Sequence, residues 1–227
     1  DAPDQGAYEY GGEIWVPGIS WDISEVFGDE FSEPEPMFDG TLFHVSINGS
    51  DNNDGSIDNP FSSIQFAYDR ADEHDTILVH PGVYNDDIWF YGKNVVLGSL
   101  YLSTGDTSFI SSTIIDGDST DCTIAIYGNI DSTCRVTGFT IQNGIGCVYG
   151  QGAGIYVESA SPRLDNLIIK NNIGGTNGGG ICLNGNSNSL IDKVVIKNNS
   201  ADTGGGLYSF NSNPVITNSV IQNNHSN

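Results

Sequence analysis

Along residues 135–227, apolar and polar positions alternate in stretches of only four to six residues. Ile155 with Val157, Leu167 with Ile169, Val194 with Ile196, and Val220 with its neighbours are examples. Period-two alternation predicts strands, and each stretch is too short for a helix and is punctuated by Gly or Asn. The stretches themselves recur. "GAGIYVESASPRLDNLIIKNN" (152–172), "GGGICLNGNSNSLIDKVVIKNN" (178–199) and "GGGLYSFNSNPVITNSVIQNN" (204–224) align, with Gly154, Gly180 and Gly206 spaced by 26 residues. "RVTGFTIQNG" (135–144) matches the second half of the same unit. A unit this short cannot bury its apolar face alone, but stacked units give every strand a hydrogen-bonded neighbour about 4.8 Å above and below. The pattern therefore predicts an all-β fold, a parallel β-helix of about six coils. The leucine spacing of leucine-rich repeats is absent, and a jelly roll does not account for the self-similarity.

Stacking assigns work to the repeated polar residues. Asn143, Asn171, Asn198 and Asn223 fall at one corner of successive coils. Asn tolerates a left-handed corner, and its amide can bond to the same amide one coil away, so these four are read as a structural ladder. The glycine triplets predict close backbone approach or positive φ just before a strand.

Upstream the period changes. In "PFSSIQFAYDRA", Ile64, Ala67, Tyr68 and Ala71 form a helical stripe, predicting a short capping helix over about 60–72 that covers the first coil's open end. "DTILVHPGVY" (75–84) and "NVVLGS" (94–99) supply the next strands.

The run "VSINGSDNNDGSIDNPFSSIQFAYDRA…DTILVHPGVYND" resembles the N-terminal entry of right-handed parallel β-helix proteins, the pectate-lyase-like superfamily. The later glycine-led units are similar to repeats of secreted β-helix proteins and of bacterial polymorphic outer-membrane proteins. The resemblance covers about 41–227. It implies a right-handed helix and an extracellular or cell-surface setting, and it implies chemistry weakly, because this fold carries lyases, hydrolases, adhesins and passive stalks.

Residues 1–40 break the pattern. "PDQGAYEYGG" resembles the closing strand that commonly ends secreted β-helix domains, yet it stands at the beginning. After it, 13–40 is an acidic arm that also carries Trp15, Trp21 and three phenylalanines, unlike a plain disordered linker. One reading is that residues 1–12 of one copy, through Gly6, Ala7, Tyr8, Glu9 and Tyr10 with Trp15 and Trp21 behind them, complete the last coil of the next copy at Val220 and Ile221. Strand addition of this kind propagates head to tail. The other is that the chain is a piece of a longer tandem protein whose preceding domain ends at 1–12.

Charge and chemistry refine this. Seven basic against 29 acidic residues give a net charge of −22, which repels phosphate backbones and anionic membranes, so neither nucleic acid nor membrane insertion is expected. A β-helix lyase needs a basic proton abstractor; the candidates are Lys170 and Lys197, at equivalent repeat positions, with Arg163. So few bases, and repulsion of anionic polymers, favour a structural or adhesive role over catalysis, with a polysaccharide-binding or lyase-type module as the alternative. Asp51, Asn53, Asp54 and Asp58 share one glycine-containing loop, which reads as a solvated entry turn or as a candidate Ca²⁺ site that misses the EF-hand register. Tyr156, Cys182 and Tyr208 align on an outward stripe, which reads as an ordinary outward ladder or as one able to stack on sugar rings. Cys122, Cys134 and Cys147 cluster in sequence, so either one disulfide forms among them or all four cysteines stay reduced.

Overall fold

The computed structural model describes residues 40–119, 121–147 and 150–227. The chain winds through three parallel sheets in turn. The first holds β1 (Leu42–Val45), β2 (Thr76–Val79), β5 (Val96–Ser99), β8 (Arg135–Thr137), β11 (Arg163–Asp165), β14 (Leu190–Asp192) and β18 (Val215–Thr217). The second holds β3 (Gly82–Tyr84), β6 (Thr113–Asp116), β9 (Thr140–Gln142), β12 (Ile168–Lys170), β15 (Val195–Lys197) and β19 (Val220–Gln222). The third holds β4 (Ile88–Tyr91), β7 (Ile124–Tyr127), β10 (Ile155–Glu158), β13 (Ile181–Asn184) and β17 (Leu207–Phe210). A minor pair joins β16 (Ser200–Ala201) to β20 (His225–Ser226). With five strands in the third sheet, five coils carry all three faces, where the period predicts about six.

The register places like residues on like. Ile77, Leu97, Val136, Leu164 and Ile191 stack up the inside of the first sheet, and Ile115, Ile141, Ile169 and Ile196 up the second, all with no exposed surface. Each side chain so enclosed contributes about 1.5–3 kcal/mol relative to exposure. Parallel strands need both faces considered: their inner residues are the core, and their outer residues are free to carry chemistry.

Sharp corners connect the sheets. Gly138, Asn166, Lys193 and Asn218 hold one corner in successive coils, and Asn143, Asn171, Asn198 and Asn223 another, all at positive φ. The glycine triplet divides its duties. Gly178 has φ +70°, while a Cβ on Gly180 would sit 2.4 Å from the Gly206 carbonyl, so only glycine lets consecutive coils close up there.

At the entry, α1 (Ile64–Arg70) packs against β1, β2 and β4, burying Ile64, Ala67 and Tyr68. It is shorter than the expected 60–72. Residues 60–63 are committed elsewhere: the Pro60 carbonyl accepts from Ser50 N (3.0 Å), and Phe61 pairs with Val45. Ser63 is the N-cap, accepting from Phe66 N at 3.1 Å. Two further helical turns, α2 (Tyr101–Thr104) and α3 (Ser108–Ser112), interrupt the path from β5 to β6 and lie against those strands. The segment expected to donate a strand, Gly6–Tyr10, with Trp15 and Trp21, lies outside the described residues.

Candidate functional site

The outer face of the third sheet is where chemistry-bearing side chains converge. In β4, "IWFY" turns Ile88 and Phe90 fully inward, which leaves Trp89 and Tyr91 outward. Lateral register then builds two outward rows. One runs Trp89, Ala125, Tyr156, Cys182, Tyr208; the other runs Tyr91, Tyr127, Glu158, Asn184, Phe210. Trp89, Tyr91 and Tyr127 lie nearly parallel to one another, within 13°, with ring centroids 5.3–6.2 Å apart. Tyr127 continues to Tyr156 at 5.6 Å.

The middle of this face is roofed. An excursion leaves the coil at Gly144 and returns at Gly152, and its described arms, 144–147 and 150–152, are pinned together by Cys147 N donating to Gln151 O at 2.9 Å. Gly152 (φ +60°) sits directly on Tyr156, where a Cβ would come within 2.7 Å of the tyrosine's own Cβ. Tyr156 and Cys182, expected on an open stripe, are therefore buried in a second small cluster with Cys122, Ala125 and Cys147. The sequence reading of that stripe is corrected accordingly: period two gives the outward direction, but not the loop that covers it. Burial pushes the Tyr156 phenol up to about 12, and it donates to Glu158 Oε2 at 3.1 Å. Burial likewise raises Tyr127 and Tyr91, so these phenols remain neutral donors.

Beyond the roof the face opens again. Gln151, Asn177, Asn184, Tyr208 and Phe210 line a cleft of about 220 Å³, with Phe210 half exposed at 52%. Three amides that both donate and accept, beside two aromatic rings, suit a neutral ligand rich in hydroxyl groups. Trp89, Tyr91, Tyr127 and Phe210 escaped the sequence reading, although the alternation in "IWFY" and "LYSF" is the signal that finds them.

The lyase candidates do not form one site. Lys170 and Lys197 are adjacent on β12 and β15 of the second sheet, whereas Arg163 belongs to the first. Arg163 is engaged with Asp165 at 3.1 Å, and Arg135 bridges the same carboxylate at 2.6 Å. The loop carboxylates do not converge either. Asp51 Oδ1 accepts from Ser62 N and Ser63 N at 2.9 and 3.1 Å, Asn53 donates to Pro60 O, and Asp54 accepts from Ser56 N, while Asp58 is exposed. These are the bonds of a folded entry turn. Among the described residues, the ligand atoms brought within 4.8 Å of one another belong to Asp121, Cys122 and Cys147.

The asparagine ladder is displaced by one residue from its expected place. Asn171, Asn198 and Asn223 are exposed corner residues, and Asn143 donates to the Asp116 carboxylate at 2.8 Å. The amides that bond from coil to coil are those of Asn172, Asn199 and Asn224, facing inward. Val220 and Ile221 also separate. Val220 points outward, whereas Ile221 continues the interior stack of Ile196.

Residues 97–227 match the family model described as right handed beta helix region. The chain belongs to that family. No curated protein and no solved structure matches it. In this β-helix the described outer faces thus divide into a first sheet carrying Arg–Asp pairs, a second carrying lysines, and a third carrying the aromatic rows.

Proposed function

We propose that the chain is an extracellular adhesive solenoid, a stiff β-helical column whose third-sheet outer face binds neutral polysaccharide. The observations that carry this reading are the stack of Trp89, Tyr91 and Tyr127 at one end of this face and, at the other, the amide-lined cleft beside Tyr208 and Phe210. Flat aromatic rings offer apolar area at low entropic cost, and amides fix hydroxyl groups by paired donation and acceptance. The net charge of −22 favours neutral sugars over uronate polymers. Retention on insoluble cellulose, xylan and mannan, against pectate and alginate, tests it. Tyr208→Ala with Phe210→Ala is expected to weaken retention about tenfold, a loss of about 1.4 kcal/mol. Equal retention of wild type and variant, or none on any polymer, overturns the reading.

A second reading, end-to-end assembly, is supported by the coil at 204–227. There Ile216 and Ile221 occupy interior positions yet are 41% and 49% exposed, while Ile191 and Ile196 below them are fully buried. A further coil, from the same polypeptide or from another copy, would cover them. Sizing of the full chain against one lacking residues 1–12 tests strand donation. Oligomers that vanish on truncation support it, and identical monomers sink it.

A further inference from the structure

Cys122 and Cys147 meet under the roof of the third sheet. Cys122 lies just before β7, and Cys147 sits in the 144–152 excursion, 25 residues further on. Their two sulfurs and an Asp121 carboxylate oxygen all lie within 4.8 Å of one another. Cys134 is in the main core, enclosed on the far side of the sheet from this cluster. Cys182 shares the small cluster, with its sulfur 4.0 Å from Gln151 Oε1.

We propose that Cys122 and Cys147 are a disulfide pair that locks the 144–152 excursion onto the coil. This inference stands on the closeness of the two sulfurs, independently of any ligand for the aromatic face. In the structure all four cysteines are thiols. Closing the bond removes two protons and two electrons. A small disulfide such as oxidised glutathione accepts them by exchange: one cysteine sulfur attacks it and releases one thiol, and the second sulfur displaces the other.

The local chemistry sets when this happens. The neighbouring Cys147 thiol, then burial, then the nearby Asp121 and Asp87 charges push the Cys122 thiol up, and burial raises Cys182 to about 12. Thiolate is the attacking species, so exchange is slow once the roof has packed. The bond closes during folding and is afterwards shielded from reductant. The excursion has reason to need it. Gly146, Gly150 and Gly152 all adopt positive φ there, so the segment is flexible when unfolded and a covalent tie removes much of that freedom.

The same atoms offer two sulfurs and one oxygen, a donor set that Zn²⁺ accepts, so the experiment separates the two. The full chain is refolded in a glutathione redox buffer, in one arm with EDTA and in another with Zn²⁺. It is then denatured, alkylated and mapped without reduction. The expected result in the EDTA arm is a linked Cys122–Cys147 peptide with Cys134 and Cys182 alkylated. Cys182→Ser should keep that link, and Cys147→Ser should abolish it and lower the thermal midpoint by about 5–10 °C. Four alkylated thiols, a link through Cys182 or Cys134, or protection that appears only with stoichiometric Zn²⁺ would each overturn the proposal.

Discussion

Asn172 and Asn199 face each other across one coil in the fully buried interior, the Asn172 Nδ2 donating to Asn199 Oδ1 at 2.9 Å. Asn199 does more than continue a row. Its Oδ1 also accepts from Asn172 N (3.0 Å), and its Nδ2 donates to Ile169 O and to Asn224 Oδ1, each at 3.0 Å. The ladder thus satisfies backbone groups that the corner would otherwise strand away from water. Asn199→Ala leaves the Asn172 N–H buried without a partner and removes the amide bonds to Ile169 O, Asn172 and Asn224, and is expected to cost about 2–4 kcal/mol. Its neighbour Asn198→Ala sacrifices left-handed compatibility alone, about 1 kcal/mol. Chemical denaturation of the two variants checks the order, and a larger loss at Asn198 would refute the assignment of roles.

The displacement of that ladder shows what a sequence reveals of such a fold. Strand direction, repeat length and the cap stripe Ile64, Ala67, Tyr68 and Ala71 follow from periodicity, since each is a local property of the chain. Facing parity survives only along an unbroken strand. A left-handed residue at 171 or 198 turns the chain, so the second asparagine of each pair points inward instead of the first. The roof over Tyr156 and Cys182 was illegible for a different reason. Gly152 and Gly178, the first residues of their glycine-led units, lie over Tyr156 and Cys182, and alternation along a strand does not say that the turn before it folds back over its outer face. Likewise the side chains of Asp51 and Asn53 read in one dimension either as ligands or as an entry turn, and in three they bond to the backbone of that turn.

Lys193 holds a left-handed corner (φ +54°) that Gly138, Asn166 and Asn218 occupy in other coils. A lysine Cβ strains this conformation, and the side chain is exposed, so little beyond its charge beside Asp192 is lost by replacing it. Lys193→Asn is expected to stabilise the column by about 0.5–1 kcal/mol. A thermal midpoint unchanged or lowered would show that the lysine contributes something beyond its backbone.

Arg135 and Asp165 make a two-pronged ion pair, Nε to Oδ1 at 2.7 Å and Nη2 to Oδ2 at 2.6 Å, with the carboxylate fully covered. Burial works to raise the Asp165 carboxyl, but the bonds and charge of Arg135, with Arg163 beside it, hold it below the usual range. A depressed carboxylate adds stability above its unfolded value of about 3.9 and loses it as the pH falls through the lower folded value. Arg135→Gln is expected to destabilise by about 3 kcal/mol at neutral pH, and to flatten the acid limb below about pH 4. Denaturation curves at pH 7 and pH 3 measure both effects, and an unaltered acid limb would dissociate Asp165 from acid sensitivity.

His44 and His80 stack at the entry coil with Nδ1 and Nε2 3.1 Å apart, one ring donating to the other. That bond requires at least one neutral imidazole. Burial, and for His44 also the neighbouring His80 charge, lower both rings below their ordinary value. The unfolded rings, with a pKa of about 6.5, bind protons that the folded ones refuse. Stability is therefore full above about pH 6.5 and falls as the pH drops toward the folded values, the reverse of a histidine that gains an acidic partner. The loss concentrates on the first coil, where His44 lies on β1 beneath the α1 cap. His80→Gln keeps a hydrogen-bonding side chain but removes one titrating ring and its repulsion, so its thermal midpoint should fall less than that of the wild type between pH 7.5 and 5. Hydrogen exchange of β1 amides over the same range locates the effect. Parallel midpoint curves for the two proteins would exclude the pair as the source of any drop in that window.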